Sequence, residues 1–146
     1  MPTARRSRTI AAPVSELWGL ICDPHHLPRW WPRVERVEDV VDDAFTELMR
    51  TSKGKAVRAD FRLVRAEEQT HSLAWEQQLE GTPFARVLSS AETLVTLQPA
   101  GEQTSVTIEL RQKLGGFFPR FGGFMVRRAA GATLDEALDG LERISG

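Results

Sequence analysis

The segment from residue 121 to residue 144 constrains the fold most, because it is long and regular enough to form a long amphipathic helix. At about 100° per residue, its small and apolar residues fall on one side and its charged residues fall on the other. The apolar side consists of Gly123, Ala130, Leu134, Ala137, Leu138, Leu141 and Ile144. An apolar stripe of this length requires a partner surface, which the preceding residues must supply.

The middle of the chain predicts that surface as antiparallel strands, because apolar and polar residues alternate there with a period of two. Turn-forming groups such as Gly81-Thr82-Pro83 separate the segments. The residues expected on one face are Val57, Ala59, Phe61, Leu63, His71, Leu73, Trp75, Gln77, Leu79, Thr93, Val95, Leu97, Val106, Ile108, Leu110, Gln112 and Leu114. Residues 84–98 exceed one unbent strand, which predicts a bulge near Ser89 and Ser90, whereas residues 44–51 show no clear phase.

The start of the chain predicts a first strand followed by two short helices. Residues 5–12 are compatible with a strand, and Pro13 suits the first turn of a helix whose apolar face carries Leu17 and Trp18. A second, kinked helical piece follows Asp23-Pro24. We therefore predict an α+β fold in one domain, residues 1–146, with a curved antiparallel sheet of about seven strands around the C-terminal helix.

Composition argues against several classes of function. Nineteen basic and twenty acidic residues give a net charge of −1, so no overall field favours nucleic acid. No apolar run approaches the roughly 20 residues that span a bilayer, which argues against integral membrane association. The N-terminus lacks the apolar region of a secretion signal, and the single Cys22 cannot form an internal disulfide, so we expect a cytoplasmic protein. A homodimer is compatible with this composition.

Motifs for a bound cofactor or metal are missing from the sequence. It contains no G-x-S-x-G, no phosphate-binding P-loop and no G-x-G-x-x-G, so nucleophile-elbow hydrolysis, NTP hydrolysis and dinucleotide binding lack support. Cys22, His25 and His26 are close in sequence, but a zinc site needs three or four convergent ligands and His71 is the one remaining imidazole. We expect neither a cofactor nor a metal.

The first 34 residues carry a resemblance to a known superfamily. Its residues are Ile10-Ala11-Ala12-Pro13, Leu17-Trp18, Asp23-Pro24, Leu27, Trp30 and Pro32-Arg33-Val34, followed by the strands and the closing helix. This pattern resembles the SRPBCC superfamily, which groups START domains, the birch-pollen-allergen fold and polyketide cyclase/dehydrase-like proteins. The resemblance implies the helix-grip fold, in which a hydrophobic cavity lies between the sheet and the C-terminal helix. It implies a protein that binds, or acts on, an apolar or aromatic small molecule such as an aromatic polyketide or a lipid.

The resemblance also implies two kinds of site residue and one different function. Aromatic polyketide cyclases of this fold hold their substrate with a cavity arginine and with tyrosine or tryptophan side chains. Arg127 and Arg86 are the candidate arginines here, and Trp75 and Trp30 are the candidate aromatics, since the chain has no tyrosine. Relatives that activate a chaperone ATPase share the same start and end, so a protein-interaction module is a further alternative.

Polar residues on apolar faces mark the candidate site. Gln77, Gln112 and His71 fall among apolar residues of the strands, where an unpartnered polar group costs about 1–3 kcal/mol. They either bond to one another or to buried water, or they bind a ligand. Arg127 falls within the apolar stripe of the helix. It either reaches solvent or a strand carboxylate such as Glu47 or Glu92, or it anchors the carboxylate or enolate of a ligand.

Aromatic residues in the two irregular segments suggest a cavity mouth, with ordinary core packing as the alternative. They are Trp30, Trp31, Phe117, Phe118, Phe121 and Phe124, and glycine pairs at residues 115–116 and 122–123 would let the second group hinge as a lid. The full set expected to bind ligand is Trp30, Trp31, Phe61, His71, Trp75, Gln77, Gln112, Phe121, Phe124 and Arg127. In an enzyme performing aldol-type cyclisation or dehydration, Arg127 would stabilise an enolate, Gln77 or Gln112 would orient a carbonyl, and His71 would act as general base.

Overall fold

The computed structural model describes residues 3–51, 53–115 and 122–145, and it has the predicted α+β architecture. The elements in chain order are β1 (Thr3–Ile10), α1 (Val14–Ile21), a 3₁₀ turn (Pro24–His26), α2 (Leu27–Trp30), β2 (Val34–Val41), β3 (Ala44–Arg50), β4 (Ala56–Glu67), β5 (Ser72–Gln78), a second 3₁₀ turn (Pro83–Arg86), β6 (Leu88–Ala100), β7 (Gln103–Leu114) and α3 (Gly122–Ile144). The two short helices follow β1 and the long helix closes the chain, as predicted.

The seven strands form one antiparallel sheet in the order β1-β7-β6-β5-β4-β3-β2. Strands β2 to β7 are joined as consecutive hairpins, and β1 pairs with β7, which brings the start of the chain beside its last strand. The helices α1 and α2 occupy the connection between the two edge strands β1 and β2. This connection carries Trp30 and Trp31 to the face of the sheet that α3 also covers, here called the inner face.

The predicted strand phases are confirmed for the regular strand residues, and His71 is the exception because it precedes β5. Val106 and Ile108 of β7 are fully buried, and Leu73 and Trp75 of β5 are nearly so. A register shift between Leu88 and Ser90 places the predicted bulge at the start of β6. Alternating residues therefore determined which side of each regular strand meets the core.

Strand β3 shows why residues 44–51 have no readable phase. Phe45, Thr46 and Glu47 are buried in succession, so both faces of the strand are covered. The Thr46 hydroxyl, on the outer face, donates a hydrogen bond of 2.6 Å to Oδ1 of Asp60 on β4. Phe45 and Glu47 both line cavities on the inner face. Side chains from the neighbouring strand thus conceal the alternation.

Helix α3 packs against β1, β7 and α2 through the predicted apolar stripe. Leu134, Ala137 and Leu141 are completely buried. Gly140 is also buried, and a Cβ atom at this position would overlap the backbone carbonyl of Trp30. The absence of a side chain at Gly140 therefore permits the close approach of α2 to α3.

Candidate ligand cavity

A cavity of about 140 Å³ lies between the inner face of the sheet and α3. It is called the inner cavity here. Strands β3 to β7 form its floor, and one residue each from α3, from the segment after α2 and from the second 3₁₀ turn completes its wall. The lining residues are Trp31, Glu47, Met49, Phe61, Trp75, Gln77, Phe84, Ala91, Thr93, Leu110, Gln112 and Thr133. The architecture therefore leaves space where the sheet and the helix meet.

Aromatic rings pack around one side of the inner cavity. The rings of Trp31 and Trp75 meet edge to face with their centroids 5.9 Å apart. Trp75 also meets Phe45 at 6.4 Å, and Phe45 stacks on Phe61 at 5.4 Å. Such contacts add roughly 0.5–1.5 kcal/mol per pair beyond the area they bury, so this wall is held in a defined shape.

Polar side chains also line the inner cavity. They are Glu47, Gln77, Thr93, Gln112 and Thr133, from four strands and from α3. Among the residues that the structure describes, none of these side chains has a hydrogen-bonding or ionic partner. Glu47 and Thr93 are buried, and Gln77, Gln112 and Thr133 are half-buried. Buried polar groups in proteins are normally satisfied, so Glu47 and Thr93 are suited to a molecule that brings hydrogen-bonding groups of its own.

Glu47 has the most unusual electrostatic environment of the lining residues. It is only 2% exposed, and burial raises the pKa of its carboxyl from 4.5 to about 8. No lysine, arginine or histidine in the described part of the chain lines the inner cavity, so nothing there compensates a negative charge. The carboxyl is therefore mainly protonated at neutral pH, when it can donate one hydrogen bond and accept others.

A second cavity of about 100 Å³ lies on the other side of Trp75. It is bordered by the end of α1, by the turn between β2 and β3 and by Phe45. Trp75 is the lining residue that the two cavities share.

Half of the predicted ligand-binding set lies at the inner cavity. These residues are Trp31, Phe61, Trp75, Gln77 and Gln112. Trp30 instead lies at the contact between α2 and α3, where it is 2% exposed, and it does not line the inner cavity. The other aromatic predictions fall differently: Phe124 is exposed, and Phe117, Phe118 and Phe121 lie outside the described residues.

The predicted placement of Arg127 in the cavity wall is wrong. Its side chain is exposed, and with Arg5, Arg6, Phe124 and Arg128 it borders an open depression between β1 and the first turns of α3. The apolar stripe gives the direction in which residue 127 points around the helix, but it does not give the extent of the sheet beneath it. In the described part of the chain, the buried contact of α3 becomes continuous only from Ala130 onward.

Arg86 and His71, the other two basic candidates, do not line the inner cavity either. Arg86 is exposed on the second 3₁₀ turn. His71 lies in the turn between β4 and β5, with a φ of 50°, and not within the strand. Its ring meets the edge of Trp18 with centroids 5.5 Å apart, and its carbonyl accepts a hydrogen bond of 3.0 Å from the Leu97 N–H. Because His71 has a left-handed backbone conformation and precedes β5, the alternation of the strand begins only at Ser72 and does not extend to His71.

Sequence reasoning missed Glu47 as a site residue, along with Thr93 and Thr133. A signal for Glu47 was present, because Phe45 and Met49 lie two positions to either side and share its face. The buried Thr46 obscured that signal. Thr133 lies on the flank of the α3 stripe, and only the tertiary packing brings it to the inner cavity.

Two further observations concern the described residues as a whole. They contain no group of three or more His, Cys, Asp or Glu side chains arranged to hold a metal ion. None of the helices within them has the length and apolar character needed to cross a membrane.

A protein-family comparison identifies the chain's relatives. The family model described as "Polyketide cyclase / dehydrase and lipid transport" matches residues 1–146. The chain belongs to this family. Membership in the polyketide cyclase/dehydrase and lipid transport family confirms the predicted resemblance and supports a role in hydrophobic ligand binding or cyclisation. A comparison with curated protein sequences finds no match.

Solved structures share the fold of this polyketide cyclase/dehydrase family member at low identity. A START superfamily protein from Mycobacterium smegmatis has a TM-score of 0.78 and 16% identity, over 96% of this chain and 94% of that chain. TTHA0849 from Thermus thermophilus has a TM-score of 0.73 and 24% identity, over 97% and 95%. The di-domain ARO/CYC BexL from the BE-7585A biosynthetic pathway has a TM-score of 0.81 and 18% identity, over 98% of this chain and 46% of BexL. Identities this low show that the proteins share a fold, and a shared fold does not imply a shared substrate.

Proposed function

We propose that this family member binds a small, mainly hydrophobic molecule in the inner cavity, with an aromatic ring or a short acyl chain against Trp31, Phe61 and Trp75. The observation that carries the proposal is the group of polar lining side chains without partners among the described residues. Rigid aromatic walls with a few converging polar groups are typical of small-molecule sites. The polar groups would fix the orientation of the ligand, and the rings would supply most of its binding free energy.

The volume of the inner cavity limits the size of that ligand. Its 140 Å³ is close to the roughly 150 Å³ that accommodates benzene in an engineered apolar cavity, and is below the about 300–1,000 Å³ of drug-sized sites. A ligand of about one ring therefore fits without rearrangement. A longer ligand would require Trp75 to turn toward the second cavity, or Phe84 to move, since Phe84 borders both the inner cavity and an open surface groove.

Filling the cavity tests this proposal. Ala91 is 5% exposed and lines the inner cavity, so the larger side chain of Ala91→Leu would occupy part of the space. Ala129→Leu is the matched control, because it adds the same side chain at an exposed position of α3. We expect the first variant to weaken binding of ethylbenzene at least about tenfold and the second to leave it unchanged. NMR titrations would measure ethylbenzene binding by both variants. Native mass spectrometry of the purified protein would show whether it retains a ligand. Equal binding by the two variants would exclude the inner cavity.

A second candidate function is catalysis on a β-keto or β-hydroxy carbonyl compound, as in polyketide cyclisation, aromatisation or dehydration. The observation favouring it is Glu47, because a carboxyl that titrates near neutral pH is suited to general acid–base catalysis. Protonated Glu47 would donate to a carbonyl oxygen, and Gln77 or Gln112 would orient it. Arg127 and His71 lose their proposed roles, since neither lines the cavity. Turnover of a single-ring β-hydroxy ketone that is lost in Glu47→Gln would establish this function.

A protein-interaction module, related to the chaperone-ATPase activators, is the third alternative. A module of that kind has no need for a space inside the fold, and a core packed solid with hydrocarbon would favour it. The inner cavity gives it no support. Binding of ethylbenzene at the cavity would therefore distinguish a small-molecule site from an interaction module.

A further inference from the structure

The polar side chains that line the inner cavity include no positively charged group among the described residues. Two amides, two hydroxyls and one carboxyl line it, and among the described residues no cationic side chain does so. We propose that Glu47 selects the ligand by donating a hydrogen bond from its protonated carboxyl to a neutral acceptor, such as a ketone or aldehyde oxygen, and that the cavity rejects molecules ending in a carboxylate. This inference rests on the proposed ligand-binding function and specifies which ligands that function accepts.

The geometry around Glu47 favours its neutral form. Its side chain is 2% exposed, and within the described residues it has neither a hydrogen-bond partner nor an ion pair. Across the sheet, β2 places Val37 beside Glu47 and β4 places Ala59 beside it. Removing an isolated carboxylate from water without compensation is highly unfavourable, so the group retains its proton instead. The same burial raises the pKa of the Glu47 carboxyl to about 8.

Among the described lining residues, Glu47 is the one whose side chain titrates near neutral pH. The elements packed around the inner cavity present Trp31, Met49, Phe61, Trp75, Gln77, Phe84, Ala91, Thr93, Leu110, Gln112 and Thr133 toward it, and none of these side chains ionises near neutral pH. The charged neighbours on β4, Arg58 and Asp60, bond to one another and to Thr46 on the outer face. Any titration of ligand affinity near pH 8 is therefore expected to come from Glu47.

Three classes of ligand would interact differently with a buried, protonated Glu47. A ketone accepts the proton of neutral Glu47 and leaves the cavity uncharged. A carboxylate introduces a negative charge that no described lining residue offsets. An amine is the main rival, because its ammonium form would pair with ionised Glu47. Because the Glu47 carboxyl is mainly neutral at physiological pH, the cavity favours the ketone over the amine and the carboxylate.

Four single-ring probes of similar size test the proposal: acetophenone, ethylbenzene, benzoate and benzylamine. At about pH 6 we expect acetophenone to bind the wild-type protein at least about tenfold more tightly than benzoate or benzylamine, as judged by NMR titration. Raising the pH to about 9 should weaken acetophenone binding about tenfold, because Glu47 then loses most of its proton. Ethylbenzene, which cannot accept a hydrogen bond, should show no such change.

Two substitutions separate the hydrogen bond from simple packing. Glu47→Leu should reduce the preference for acetophenone over ethylbenzene about tenfold. Glu47→Gln should retain much of that preference, because an amide also donates, and it should abolish the pH dependence. Thermal unfolding measured for each variant under the same conditions shows that the folded protein is being compared.

The outcomes distinguish this inference from the proposed function. If ethylbenzene binds but the ketone preference survives in Glu47→Leu, or the pH dependence survives in Glu47→Gln, the role assigned to Glu47 is wrong and the cavity remains a binding site. Equal or tighter binding of benzoate or benzylamine also overturns it. If none of the four probes binds at about millimolar concentration, the proposed function fails and the inference fails with it.

Discussion

Glu47→Gln is expected to change the pH dependence of stability, because it removes the one buried carboxyl on the inner face of β3. The pKa of Glu47 is about 8 in the folded protein against an ordinary value of 4.5. Between those values the folded state holds a proton that the unfolded state has released. The free energy of unfolding of the wild-type protein therefore falls as pH rises from about 4.5, and the loss levels off once pH has passed about 8.

The size of the effect follows from proton linkage. One bound proton changes the free energy of unfolding by about 1.4 kcal/mol per pH unit. Between about pH 5.5 and about pH 7.5, partial titration at each end reduces the total to roughly 2–3 kcal/mol. Glutamine has nearly the same shape and does not ionise, so Glu47→Gln should gain that much stability relative to wild type over this interval.

Urea unfolding at several pH values between about 5.5 and 7.5 measures the difference. Glu76→Gln is the matched control, because Glu76 is an exposed carboxyl on β5 and its replacement should leave the wild-type pH profile essentially unchanged. Parallel profiles for wild type and Glu47→Gln would refute the reasoning. They would mean that Glu47 is ionised at little cost, and the hydrogen-bond donor proposed for the inner cavity would be lost as well.

Four other substitutions have defined outcomes. Gly140→Ala should destabilise the protein by roughly 1–3 kcal/mol, because its Cβ would overlap the backbone of α2. Gly19→Ala should stabilise the protein by roughly 0.5–1 kcal/mol, because open space surrounds this position of α1. Urea unfolding measures both changes. Thr104→Val should cost roughly 1–3 kcal/mol in the same assay, since the buried Thr104 hydroxyl donates a hydrogen bond of 2.8 Å to the carbonyl of Ala12. Arg127→Ala should leave acetophenone binding unchanged in an NMR titration, and a large loss would place Arg127 at the ligand after all.

Local pattern was sufficient for most of the architecture. The stripe on α3 predicted a long helix with a buried side, and Leu134 and Leu141 are indeed completely buried. Alternation predicted the inner faces of β4, β5 and β7, including Gln77 and Gln112 at the inner cavity. These features depend on the fixed periods of helix and strand, which a sequence records directly.

The sequence by itself determined which side of each regular element is apolar, and only the tertiary structure decided what lies opposite that side. Arg127 is on the predicted side of α3 yet is exposed, because the buried contact becomes continuous only beyond it. Glu47 is buried because Val37 and Ala59 flank it on the neighbouring strands and because it faces the inner cavity, which Trp31, and Thr133 of α3, also line. A helical or strand period fixes direction around or across an element, whereas burial, and with it the pKa of a carboxyl, depends on how far distant segments extend over it.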